Sequence, residues 1–198
     1  MFYDATRTLR PGTPVYPGDP VVSFDQVCCI DREGANVHKI TMGTHTGTHI
    51  DAPLHYIKEG AAVDGVDPSA LIGRARLLDL QGMPEIGREQ LPARDLELRV
   101  VIKTGFKQEK GFGLYPRLTP EAARYLVESG VLLLGMDTPS PDSPGSSETH
   151  SILLQAGIVI VENMRLDHIP AGIYEMYCLP LPLAGMDGSP ARVLMKRL

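Results

Sequence analysis

A single strand-dominated domain of the α/β or α+β class is what this sequence predicts, and three observations predict it. Short runs rich in Val, Ile and Leu, bounded by Gly and Pro, recur along the chain in the manner of strands. Helix start and stop signals are fewer and confined to three stretches. From Thr119 onward the order reads helix, strand, helix, strand, which implies at least one βαβ unit with a parallel strand pair. The 198 residues are enough for one domain with a substantial core, spanning 1–198, and too few for two.

In chain order, weak strand patterns come first, around 21–24 and 36–42. Asp67-Pro68 opens a short helix ending at Gly73, and 76–80 and 99–104 read as strands. Thr119-Pro120-Glu121 marks a helix start well, with a hydroxyl at the cap, Pro at the first helical position and an acid in the first turn. That helix runs through Leu126 and stops at Gly130. A strand over 131–136 follows, then a helix opened by Ser147-Glu148 and ending near Gly157. The remaining strands are 158–162, 174–179 and 191–196.

Composition narrows the function. Apolar residues make up 43% and charged residues 22%, as in an ordinary globular protein. The 20 glycines and 17 prolines are dispersed, so they predict tight turns and form no low-complexity tract. The net charge of -5, with Lys and Arg scattered, speaks against a nucleic-acid or anionic-membrane surface. The longest apolar runs, such as 131–136 and 158–161, are too short to span a bilayer. Met1-Phe2-Tyr3-Asp4-Ala5 has no basic region followed by an apolar stretch, so no signal peptide is read. Three cysteines, with Cys28 and Cys29 adjacent, make neither a disulfide framework nor a zinc ribbon, and a reducing cytoplasm is expected.

The most informative stretch runs from Gly43 to His55, Gly-Thr-His-Thr-Gly-Thr-His-Ile-Asp-Ala-Pro-Leu-His. Alternating threonines, Gly47 and Pro53 argue against a helix. In an extended chain, side chains two apart share a face, so His45, Gly47, His49 and Asp51 point the same way. Gly47 would then leave a gap where a metal could sit, and Ala52, preceding Pro53, is held extended. Two imidazoles and a carboxylate form the mixed N/O set that suits zinc or manganese. A lone loop histidine is usually just solvated, but here four of the six histidines fall in two short segments. In the second segment, His150 lies in the first turn of a short helix and Glu162 ends an apolar strand. Taken alone, His150 reads as structural and Glu162 as solvent-facing.

His45-Thr46-Gly47-Thr48-His49-Ile50-Asp51-Ala52-Pro53-Leu54-His55 resembles the His-x-Gly-Thr-His-x-Asp-x-Pro-x-His signature of the cyclase family of metal-dependent hydrolases, which includes bacterial kynurenine formamidases and isatin hydrolases. The likeness covers nearly the whole chain. It begins at Thr13-Pro14-Val15-Tyr16-Pro17-Gly18-Asp19, and includes Gly135-Met136-Asp137-Thr138-Pro139-Ser140 and His150 with Glu162. It closes with Leu179-Pro180-Leu181 and Ser189-Pro190-Ala191-Arg192. The resemblance implies one or two divalent metals per chain, zinc or in some members manganese. His45, His49 and Asp51 would hold the first ion, and Asp51 would bridge to a second held by His150 and Glu162. His55 is then the proton-transfer histidine. The implied fold is a β-rich α/β domain of the swivelling β/β/α type, assembled as a homodimer or homotetramer. Two positions depart from the family: kynurenine formamidases commonly carry Trp where Tyr16 stands in the loop that walls the substrate, and many members have a second histidine at Ser151.

The expected reaction is hydrolysis of a C–N bond in a small-molecule amide, an aryl formamide such as N-formylkynurenine or a cyclic amide. A histidine with an ordinary pKa of about 6.5 is suited to moving the proton to the leaving nitrogen. The turn-rich loop 137–145, leaving a strand end, is expected to border the pocket. The competing reading from another class is a non-catalytic metal or small-molecule binding protein. His55 argues against it, because a structural site is closed and has no use for an extra histidine beside its ligands.

Overall fold

In the computed structural model, which describes residues 1–94, 96–107 and 112–198, the apolar runs become the wall of a barrel. The strands are β1 (Phe2–Asp4), β2 (Ser23–Cys28), β3 (Val37–Thr41), β4 (His49–Asp51), β5 (Ile72–Asp79), β6 (Glu85–Ile86), β7 (Arg99–Lys103), β8 (Arg117–Leu118), β9 (Leu133–Met136), β10 (Val159–Glu162), β11 (Gly172–Pro180) and β12 (Gly188–Arg197). The helices are α1 (Ile30–Glu33), α2 (Pro68–Leu71), α3 (Pro120–Glu128) and α4 (Glu148–Gln155). The main sheet runs β1-β12-β11-β5-β7-β9-β10-β4, and β4 pairs back onto β12, which closes a seven-stranded ring with β1 as an outlying strand. Strands β5, β7, β9 and β10 are mutually parallel, while β11 and β4 run against them.

The barrel wall separates two apolar cores. Alternate side chains of the ring strands, including Ile50, Leu77, Val101, Leu133, Val161, Tyr174 and Val193, pack together inside the ring. The opposite faces of β7, β9 and β10, with Val100, Ile102, Leu134 and Ile160, pack on Leu126 of α3 and Leu153 and Leu154 of α4. Strands buried on both faces read as continuous apolar runs, which is why β7, β9 and β10 are plain in the sequence. The βαβ unit is present as β9, α4 and β10, with β9 and β10 paired in parallel.

The differences from expectation have local causes. Helix α2 is a single turn that passes straight into β5, so Gly73 lies inside the strand and ends nothing. Its φ of +138° is open to glycine, and a Cβ there would meet the Arg99 guanidinium at 2.8 Å. Thr119 caps α3 as expected, accepting the Ala122 N–H. Ser147 makes no side-chain cap on α4; Asp142 accepts the N–H groups of Thr149 and His150 instead. Strands β2 and β3 form a separate hairpin that leaves Phe24, Val27, Val37 and Ile40 exposed. Among the described residues, no helix is long and apolar enough to cross a membrane.

Candidate metal centre

The histidine motif folds in two parts. Only His49–Asp51 is strand, and residues 44–45 form a turn ahead of it. Gly47 has φ +65°, and a Cβ there would collide with Leu9 Cδ2. The space beside Gly47 is therefore filled by Leu9, which corrects the expectation of a gap for the metal. His45 reaches the site from the turn and not from a shared strand face. Ala52 is extended before Pro53 as expected, and Pro53–His55 forms a single 3-10 turn that carries His55.

Strand register does the rest. In the antiparallel pair of β4 and β10, His49 stands opposite Glu162 and Asp51 opposite Ile160. Cross-strand partners share a face, so His49, Asp51 and Glu162 all point away from the barrel interior, where Ile50 and Val161 are packed. Helix α4 lies over that outer face and brings His150 in from its first turn. Glu162 is 5% exposed, which corrects its reading as a solvent-facing residue.

Asp51, 1% exposed, sits at the middle. Its Oδ1 is 2.7 Å from His45 Nδ1 and 3.3 Å from His49 Nε2, and its Oδ2 is 3.5 Å from His150 Nε2. Glu162 spans the two sides, with Oε2 3.4 Å from His49 Nε2 and Oε1 3.1 Å from His150 Nε2. The ring nitrogen that does not face this cluster is held in each case. Nε2 of His45 donates to Asp187 at 2.8 Å, Nδ1 of His49 to the Gly47 carbonyl at 2.9 Å, and Nδ1 of His150 to Asp142 at 2.7 Å. Such outer partners are what orient metal-binding imidazoles and fix their tautomers.

Two buried atoms here, His49 Nε2 and Asp51 Oδ2, have no hydrogen-bond partner among the described residues. An unpartnered buried polar atom costs about 1–3 kcal/mol, and a bound cation would remove that cost. His45, His49 and Asp51 each offer one atom to a group that lies within 4.8 Å, as do Asp51, His55 and His150. The residues present therefore fit a divalent ion, with N/O donors of the type zinc and manganese take.

The charges follow from the geometry. Burial alone would push the His49 imidazolium down, but the Asp51 and Glu162 carboxylates hold it up at about 10. His150 is raised well above its ordinary value despite burial, through Asp142, Asp51 and Glu162. Burial would raise Asp51, and the histidines around it pull it well below the ordinary carboxylate value instead. Protonation of His49 therefore stabilises the metal-free fold fully below its unfolded value of 6.5, and that stabilisation fades as pH rises toward about 10. Metal binding runs the other way, since ligands must be deprotonated. The rise in Tm on adding zinc is expected to be larger at about pH 8.5 than at about pH 6; a rise equal at both would count against His49 as a ligand.

A cavity of about 290 Å³ opens onto this cluster, lined by His45, His49, His55, His150 and Glu162 together with Tyr16, Tyr56, Phe112 and Tyr115. His55 lies against His45 with ring centroids 3.9 Å apart, and its Nδ1 is 3.3 Å from Asp187. Tyr16 stands at the rim, 47% exposed, edge-on to Phe112 at 5.8 Å. Pro139, Ser140, Ser143, Pro144 and Gly145 line the same cavity, so the loop after β9 borders it as expected. Ser151 is outside the lining and donates to the Ser147 carbonyl. Sequence reasoning missed Asp142, Asp187 and Asn163. Asp142 lay within the loop singled out above, but nothing in the spacing marks it as the partner of His150. Asp187 lies 132 positions beyond His55 and is joined to it only by the pairing of β12 with β4.

The fold and donor set define the class: an α/β barrel with a buried site for a metal ion, opening to an aromatic-walled cavity. A family model described as putative cyclase matches residues 3–143, and the chain belongs to that Cyclase family. A kynurenine formamidase of Bacillus cytotoxicus is 38% identical over 202 residues, covering 98% of this chain and 97% of the relative. A solved structure described as a potential metal-dependent hydrolase with cyclase activity superposes with a TM-score of 0.82 at 31% identity, covering 98% of this chain and 96% of that one. Isatin hydrolase A from Labrenzia aggregata, bound to benzyl benzoate, superposes with a TM-score of 0.85 at 26% identity, covering 100% and 94%.

Proposed function

We propose that this protein is a metal-dependent amidohydrolase that cleaves the C–N bond of a small amide, an aryl formamide such as N-formylkynurenine in particular. The observation that carries the reading is the convergence of His45, His49, Asp51, His150 and Glu162 at the floor of a cavity with aromatic walls. Full-length similarity to kynurenine formamidases supports it. In this reading His45, His49 and Asp51 hold one ion, and Asp51, His150 and Glu162 a second, with zinc the proposed metal and manganese the alternative. Bound metal would polarise the amide carbonyl and lower the pKa of water to about 7. The chain supplies the remainder. Asp187 and Asp142 accept the outer N–H of His45 and His150, which would leave the opposite ring nitrogen of each free to ligate an ion. His55, 26% exposed at its side chain, takes a proton at a ring nitrogen and delivers it to the leaving nitrogen. Tyr16, Tyr56, Phe112 and Tyr115 present ring faces and edges to a flat aromatic substrate.

A second reading is favoured by the isatin hydrolase A likeness: opening of a cyclic aryl amide on the same donors. The swivelling β/β/α description of the fold belongs with either reading. We also propose that the protein assembles as a homodimer or homotetramer, which the exposed apolar side chains of the β2–β3 hairpin support.

The test is to purify the protein without chelators, measure metal and mass in solution, and assay N-formylkynurenine and isatin on that sample. One or two zinc or manganese ions per chain with fast formamide hydrolysis is the expected result, on a particle of two or four chains. Preference for isatin selects the second reading, and a chain that takes up no divalent metal overturns both.

A further inference from the structure

Asn163 follows Glu162 directly and is the one non-glycine residue with positive φ among the described residues, at +54°. Asparagine tolerates this region better than most residues, but usually in exposed turns. Here the residue is 3% exposed. Its backbone is pinned on both sides: the N–H donates to the Thr138 carbonyl at 2.9 Å, and the C=O accepts from Thr48 Oγ1 at 2.8 Å and Arg7 Nε at 2.9 Å. The surroundings thus fix the backbone, and Asn163 lines the cavity shared with His55, His150 and Glu162. Its Oδ1 is buried with no hydrogen-bond partner, a state it shares among the described residues only with the two atoms of the metal centre, His49 Nε2 and Asp51 Oδ2.

A neutral carboxamide oxygen is an acceptor, and the soft terminal torsion of asparagine lets the group turn into the cavity. The matching partner is a neutral donor carried in by the ligand. Resting on the amidohydrolase reading above, we propose that Asn163 selects the substrate class, its Oδ1 accepting a hydrogen bond from the N–H of the scissile amide. Secondary amides and lactams carry that N–H; esters and N,N-disubstituted amides do not, and would leave the oxygen buried and unpaired. Sites that hydrogen-bond a substrate N–H discriminate strongly against analogues lacking it.

The experiment compares wild type with Asn163→Gly, because glycine holds φ +54° without strain and removes the whole side chain, the carboxamide with it. Each metal-loaded protein is assayed on formanilide and on N-methylformanilide, which lacks the N–H. Metal per chain and Tm are measured on the same samples. The expected result is unchanged metal per chain, a protein still folded by its Tm, a fall of roughly 10–100-fold in kcat/KM for formanilide, and a change within about threefold for N-methylformanilide. The steric effect of the methyl group is common to both proteins, so the ratio of ratios isolates the hydrogen bond. Equal losses on both substrates, loss on neither, or loss of metal from the variant would each overturn the proposal. Wild type that hydrolyses no amide defeats the functional reading itself, and that result is visible in the wild-type arm alone.

Discussion

Asp51→Ala is expected to lose metal and activity together, with kcat/KM falling at least about 10³-fold. The magnitude follows from position. Asp51 reaches three of the four buried or half-buried imidazoles, with oxygens 2.7, 3.3 and 3.5 Å from His45, His49 and His150. Metal polarisation of a carbonyl contributes several kcal/mol to a transition state, and about 1.4 kcal/mol is a factor of ten. Without the carboxylate, the metal-free site also changes: His49 and His150 lose one of the charges that raise their pKa values. Alanine leaves a polar void, so Asp51→Asn is the control for folding, keeping the shape while removing the charge. Elemental analysis, circular dichroism and turnover on one preparation decide the matter. A folded Asp51→Asn protein with full metal content would remove the bridging role.

The legible part of the fold was what local pattern encodes. Val100 to Ile102, Leu133 to Met136 and Val159 to Val161 are buried on both faces of the barrel wall, so their apolar runs announce strands without any tertiary information. Thr119 likewise carries its own cap. Closure of the barrel was not legible, because it depends on three residues, Gly188 to Pro190, pairing with His49 to Asp51 across more than half the chain. At the candidate site the donor types and the extended run into Pro53 were legible. Their geometry was not: Gly47 bends the segment, and the space assigned to a metal belongs to Leu9. The carboxylates that orient the imidazoles, Asp142 and Asp187, were out of reach for the same reason. Aspartates in Pro- and Gly-rich loops are common, and only the packing of α4 and β12 selects these two.

His55→Ala is expected to keep full metal content while turnover falls roughly 10²–10⁴-fold, the range for removing a proton-transfer group. The separation of the two effects is the informative part. His55 lines the cavity beside the donors and is held by stacking on His45 at 3.9 Å and by Asp187 at 3.3 Å. Burial pushes its imidazole below the ordinary value, so at neutral pH the ring is uncharged and has a lone pair to accept a proton. One arrangement would give it another part: its ring nitrogen also lies in a group within 4.8 Å with Asp51 and His150, close enough to offer a third ligand to an ion there. Metal content separates these roles. Retained metal, depressed turnover and partial recovery on adding free imidazole would place His55 on the path of the proton. Loss of metal from the variant would move it into the ligand set, and unchanged turnover would remove it from the chemistry altogether.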